Sequence, residues 1–173
     1  NSNIEFVGYR AFAYTKITNA DFAQRAELGN GAFRKTMVTS FAFTKNQKII
    51  PGYLFTDCKN LSEISFEDGV ITIGPSAFEN TAVKNVVMPD SIVDFGGSTF
   101  EDCKELETVV IPKNTEYIRE WAFSGCEKLY KVTWNRIGNK EILYQAFQYC
   151  TSLKDFTFED ITCIDEGAFD ETG

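Results

Sequence analysis

A phenylalanine returns along this chain at an almost constant interval, and this regularity restricts the fold more than any other feature. The recurring residues, 21 to 24 positions apart, are Phe12, Phe33, Phe55, Phe78, Phe100, Phe123, Phe147 and Phe169. Six of the eight directly follow an alanine, and the residue five positions earlier is always large and apolar. A period of this length indicates a solenoid, in which each repeat packs only on its neighbours.

Each repeat also contains a short stretch of alternating apolar residues, which predicts a half-buried strand. The apolar pairs are Ala20/Phe22, Phe41/Phe43, Ile64/Phe66, Val86/Met88, Val109/Ile111, Val132/Trp134 and Phe156/Phe158. Between successive strands lies an apolar-Gly-x-x-Ala-Phe segment, as in residues 73–78, where Pro75 suits the first position of a helical turn. The chain is therefore predicted to stack seven to eight repeats into an α/β solenoid, with phenylalanines forming a ladder through its core.

The repeat phase is never broken by a linker, so we expect residues 1–173 to form a single solenoid domain. Neither end carries a signal peptide or a polar capping repeat, which a solenoid needs to stay soluble. We therefore expect the domain to be a fragment of a longer repeat protein.

These motifs resemble the BspA-like (Treponema-type) leucine-rich repeat, whose pattern is roughly Leu-x-x-Ile-x-Ile-Pro followed by Ile-Gly-x-x-Ala-Phe-x-x-Cys. The first part appears in residues 106–112, the second in residues 73–78, and the cysteine at Cys126. The resemblance covers the whole chain. It implies a right-handed leucine-rich-repeat superhelix, with a parallel sheet on one face and short helical turns on the other. It also implies a cell-surface or secreted protein that acts in adhesion or host-protein binding.

Composition excludes several classes of function. A net charge of −8 disfavours binding to nucleic acid or to an anionic membrane. The chain has no histidine, which is the commonest general base and a common metal ligand. Exposed carboxylates at Glu63, Glu67, Asp155 and Glu159 could pair as in a glycosidase, but no pattern predicts a pocket that would raise the pKa of one. We expect no enzyme, no cofactor and no metal.

Four of the five cysteines follow a ladder phenylalanine by three positions, where other repeats place a threonine: Cys58, Cys103, Cys126 and Cys150. A disulfide or a thiolate metal site would be possible between neighbouring repeats. Threonine can form neither a disulfide nor a thiolate metal site, so the favoured interpretation is a ladder of small buried side chains. Cys163 lies outside this register and is expected in the loop before the last turn.

A partner would meet the exposed face of the predicted sheet, where successive repeats place equivalent side chains beside one another. The predicted partner-binding residues are Ser40, Ala42, Glu63, Ser65, Asn85, Val87, Thr108, Val110, Lys131, Thr133, Asp155 and Thr157. Val87 and Val110 form the centre of an apolar strip, and Ala42 and Ser65 occupy the equivalent positions in the two preceding repeats. The chain is thus predicted to be a monomeric, noncatalytic module that binds a protein, and the resemblance implies a host protein. The alternative is a spacer that holds another domain away from the cell surface.

Overall fold

A computed structural model describes residues 3–173 and shows a solenoid of about seven turns with parallel strands. Two series of strands run along it. The front series consists of β3 (Ser40–Phe43), β5 (Glu63–Phe66), β7 (Asn85–Val87), β9 (Thr108–Ile111) and β11 (Lys131–Trp134). The side series consists of β1 (Phe6–Val7), β2 (Glu27–Leu28), β4 (Ile49–Ile50), β6 (Thr72–Ile73), β8 (Asp94–Phe95), β10 (Tyr117–Ile118), β12 (Lys140–Ile142) and β13 (Ile161–Ile164).

The strands pair with the equivalent strand of the neighbouring turn, as a solenoid requires. In the front series, β3 pairs with β5, and β7, β9 and β11 pair in that order. The side series forms the sheets β1–β2, β4–β6–β8 and β10–β12–β13. No ladder joins β5 to β7, so the front series is divided into two sheets.

The predicted phenylalanine ladder is confirmed. Each ladder ring stacks on the next, with centroids 5.3 to 6.2 Å apart and planes within 14° of parallel. The six rings from Phe33 to Phe147 are fully buried. Because aromatic pairs stabilise by roughly 0.5–1.5 kcal/mol beyond their buried area, the ladder is a major contribution to the cohesion between turns.

The predicted helical turns are wrong: the segments that precede each ladder phenylalanine are stacked β-turns. In the first repeat, the amides of Ala11, Ala13 and Thr15 donate three residues back within the segment. The intervening amides of Arg10, Phe12 and Tyr14 donate instead to carbonyls of the next turn, at 2.8 to 3.1 Å. In a helix, all these amides would donate within the segment, and every residue would have a negative φ. Here Arg10 and Tyr14 have φ of 51° and 64°.

Glycine begins these turn segments because neighbouring backbones nearly touch there. A Cβ atom on Gly96 would lie 2.5 Å from the backbone nitrogen of Pro75. One on Gly29 would lie 2.6 Å from the backbone nitrogen of Tyr9. Glycine allows this approach, which explains the motif at these two repeats. Four other repeats place Pro51, Arg119, Leu143 and Asp165 at the same position.

Two predicted strands do not form. The Ala20/Phe22 segment contains a 3₁₀ helix, Asp21–Ala23, instead of a strand. The side-chain oxygen of Asn19 accepts a hydrogen bond from the Asp21 amide at 2.8 Å, which closes a local turn. The Phe156/Phe158 segment forms only one bridge, between Asp155 and Lys131.

The Phe156 and Phe158 rings instead pack against each other, with centroids 4.9 Å apart. The position predicted for Cys163 is also wrong, since this residue lies in β13, opposite Glu141.

Candidate interaction face

The outward side chains of the front strands, which we call the front face, stand in register from turn to turn. Ser40 lies opposite Glu63, and Ala42 lies opposite Ser65. Beyond the break, one row joins Asn85, Thr108 and Lys131, and a second row joins Val87, Val110 and Thr133. The strand alternation places the apolar partners of these residues in the core, so ten of the twelve predicted residues lie on one face of paired strands.

The remaining two predicted residues, Asp155 and Thr157, lie beside the last front strand but outside any strand. Asp155 is held there by its bridge to Lys131, and the Lys131 ammonium donates to its carboxylate at 2.7 Å. Both side chains of this ion pair are about half exposed, so solvent weakens its contribution to stability.

The centre of the face is apolar but interrupted. Val87 is 66% exposed, and Val110 beside it is half-buried. The break between β5 and β7 separates them from Ala42 and Ser65, so the predicted strip consists of two pieces. Next to Val87, the Thr108 hydroxyl donates to the Asn85 amide oxygen at 2.7 Å, which fixes both polar side chains.

A groove of about 570 Å³ crosses the first part of the front face and spans this break. Its lining includes the predicted residues Ser40, Ala42, Glu63, Ser65 and Asn85. Four further polar lining residues lie outside the predicted set, because none of them occupies an outward position of a front strand: Asp21, Gln24, Ser62 and Lys84. The groove therefore presents hydroxyls and charges of both signs beside the exposed valine.

A second groove, of about 510 Å³, brings together Lys131, Thr133, Asp155 and Thr157 near the loop 135–139. Ile137 in this loop is 91% exposed. Lys140, at the base of the loop, is buried and donates to the carbonyl of Glu159 at 3.0 Å. Its ammonium also lies 5.6 Å from the centre of the Trp134 ring, which partly offsets the cost of burying its charge.

The four ladder cysteines are buried free thiols, and each donates to the carbonyl of a ladder phenylalanine in the preceding turn. Burial raises the pKa of Cys103 to about 11 and that of Cys150 to about 12. They are protonated at neutral pH, which suits donors and not nucleophiles. The carboxylates considered for a glycosidase are all exposed: Glu63, Glu67, Asp155 and Glu159.

Within residues 3–173, no three side chains of His, Cys, Asp or Glu are grouped so that they could hold a metal ion. No helix in the same range is long and apolar enough to cross a membrane.

A family model described as the BspA type leucine rich repeat region matches residues 1–107 and 71–173, in six copies. The chain belongs to the BspA-type leucine-rich repeat family. The resemblance inferred from the repeat motif is thereby confirmed. No curated protein sequence matches the chain.

Solved leucine-rich repeat structures share this fold. A leucine-rich repeat protein of T. pallidum is 20% identical to this chain and superposes on it with a TM-score of 0.57. The match covers 87% of this chain and 72% of the T. pallidum chain. The pneumococcal vaccine antigen PcpA is 14% identical over 95% of this chain, with a TM-score of 0.55. This BspA-type chain spans only 56% of the PcpA structure. At these identities the likeness concerns the fold alone.

Proposed function

We propose that this BspA-type solenoid is a noncatalytic protein-interaction module of a bacterial cell-surface or secreted protein, and that it binds its partner through the front face. The observation that carries the proposal is the exposure of Val87 at the centre of a face of paired strands. A large aliphatic side chain that is 66% exposed contributes little to folding, but it can be desolvated by a partner.

The surroundings of Val87 fit a protein partner. Interfaces typically combine an apolar centre with a polar rim, and here the valines lie between two polar grooves of about 570 and 510 Å³. The strands below are bonded to their neighbours, so the face loses little conformational entropy when it binds. Adhesion is the specific role that we assign to this binding.

The test is a pair of double variants measured against a panel of purified extracellular-matrix and cell-surface proteins by biolayer interferometry. Val87→Asp with Val110→Asp places two charges at the centre of the front face. Ile49→Asp with Ile71→Asp places two charges at exposed positions of the side series, one in β4 and one directly before β6, and serves as the matched control. We expect the first variant to lose binding at least ten-fold and the control to retain it. If no protein in the panel binds the unmodified chain, the spacer role replaces this proposal.

A further inference from the structure

The turn segments carry a column of side chains on the side of the solenoid away from the front strands. The residue two positions before each ladder phenylalanine has a positive φ, between 51° and 64°, in every turn. These residues are Arg10, Gly31, Tyr53, Ser76, Ser98, Trp121, Gln145 and Gly167. The amide of each column residue from Arg10 to Gln145 donates to the carbonyl of the residue that precedes the next column residue, as from Gly31 to Gly52 at 3.0 Å.

Gly31 interrupts this column between two large side chains. The gap is a cavity of about 280 Å³, which we call the turn-face notch. It is lined by Tyr9, Arg10, Asn30, Gly31, Arg34 and Tyr53. A Cβ atom on Gly31 would lie 3.4 Å from Cγ of Arg10 and 3.9 Å from Cβ of Arg34, so any side chain here would enter the notch.

Two arginines line the notch, and among the described residues their only ion pair is the long contact between Arg34 and Asp57. Among residues 3–173, the buried Nε atom of Arg34 has no hydrogen-bond partner, and the carboxylate of Asp57 lies 3.7 Å from its Nη2 atom. Arg10 lies over the Tyr9 ring, 5.1 Å from its centre. By contrast, the Arg119 guanidinium donates to Asp94 at 3.0 and 3.2 Å. Because neither notch arginine makes such a two-bond pair, the guanidinium nitrogens that remain accessible keep donors for a bound anion.

The surrounding charge favours an anion as well. Although the whole chain has a net charge of −8, residues 1–48 contain seven lysines and arginines against three acidic residues. No carboxylate lines the notch. This segment therefore carries an excess of positive charge in an otherwise acidic protein, which favours an anionic ligand.

The walls indicate which kind of anion fits. Tyr9 and Tyr53 are 68% and 45% exposed and offer ring faces and hydroxyls, and Asn30 offers an amide. The lining contains no aliphatic side chain. A sugar ring presents apolar C–H faces to aromatic rings and hydroxyls to amides, and a carboxylate matches the fork of an arginine. We propose that the turn-face notch binds an acidic sugar residue, with Arg34 and Arg10 holding its carboxylate.

The experiment is an NMR titration of the full ¹⁵N-labelled chain with methyl β-glucuronide and, separately, with the neutral methyl β-glucoside. We expect the glucuronide to shift the Nε–H resonance of Arg34, and the glucoside to leave it unchanged. Arg34→Gln or Arg10→Gln should weaken glucuronide binding roughly ten- to a hundred-fold, since each removes a charge-assisted hydrogen bond. Because Arg10 is exposed, its variant tests the site even if Arg34→Gln disturbs folding.

Two variants provide controls. Arg25→Gln removes an exposed arginine outside the notch, and should leave the affinity unchanged. Tyr149→Ala matches Tyr53→Ala, since both tyrosines are 45% exposed with φ of 61° and 60°, and only the Tyr53 variant should weaken binding. Equal binding of the glucoside, no shift at Arg34, or equal weakening by Arg25→Gln would overturn the proposal. Preferential binding of a sulfotyrosine peptide would also overturn it and assign the notch to a protein ligand.

Discussion

Thr81 and Cys103, which lie in successive turns, share one acceptor, the backbone carbonyl of Phe78. The Thr81 hydroxyl donates to it at 2.9 Å and the Cys103 thiol at 3.1 Å. The pattern repeats at Thr36 and Cys58 around the carbonyl of Phe33, at 2.9 and 3.0 Å. Threonine therefore bonds back to its own turn and cysteine reaches to the previous one. This is the physical reason why either residue type serves at the same place in the repeat.

The thiols should differ sharply in reactivity. At pH 8 in native protein, we expect the exposed Cys163 to react with Ellman's reagent and the other four cysteines to remain unreacted. Burial raises the pKa of Cys103 and Cys150 to about 11 and 12, so the reactive thiolate is scarce as well as inaccessible. In denaturant all five should react. Cys163→Ser should abolish the reaction of the native protein. Any thiol that still reacted fast in this variant would contradict the buried ladder.

The phenylalanine ladder should dominate stability. We expect Phe78→Ala to lower the free energy of unfolding by roughly 3–5 kcal/mol, because it leaves a cavity between the rings of Phe55 and Phe100. Phe158→Ala, at a position that is 56% exposed, should cost much less. Urea denaturation of both variants measures the difference, and equal losses would show that the ladder is not the principal core.

The glycines of the turn segments should be replaceable only where the neighbouring backbone is distant. Gly96→Ala forces a Cβ atom against the backbone of Pro75 and should destabilise the chain by roughly 1–3 kcal/mol. Gly8→Ala is the matched control, since the nearest atom belongs to the Phe6 side chain at 3.5 Å and its φ is not positive. Thermal unfolding of the two variants would contradict this account if Gly8→Ala were as harmful as Gly96→Ala.

The hydrogen bonds between turns should appear in amide exchange. Phe55 donates to the carbonyl of Ala77 in the next turn, whereas Cys58 donates within its own segment to Phe55. We expect Phe55, buried between turns, to exchange only on cooperative unfolding, and exposed amides such as that of Ile137 to exchange fast. Fast exchange at Phe55 would instead indicate independent helical turns.

The sequence was sufficient to predict the ladder, five of the seven front strands and the equivalence of threonine and cysteine, because each depends on residue types that recur at one period. It was not sufficient to identify the β-turns. Pro75 suits the start of a helix and the second position of a β-turn equally well. The deciding feature is that the Arg10 and Phe12 amides donate to another turn, and no pattern within one repeat contains that information.

The candidate site was predictable to a similar extent. Strand alternation placed Val87 and Val110 outward, but the break between β5 and β7 has no marker in the sequence. The turn-face notch also escaped prediction. Gly31 alone is unremarkable in a sequence, and it becomes significant only when stacking places it between Arg10 and Tyr53.

The claim that the front face binds the partner is tested most directly by photo-crosslinking. A benzoylphenylalanine is placed at position 87 in one protein and at position 49 in another; the native side chains there are 66% and 70% exposed. Each protein is incubated with an extracellular protein that the binding panel identifies. The account predicts a covalent adduct from position 87 and none from position 49. Crosslinking from position 49 alone, or equally from both positions, would contradict it.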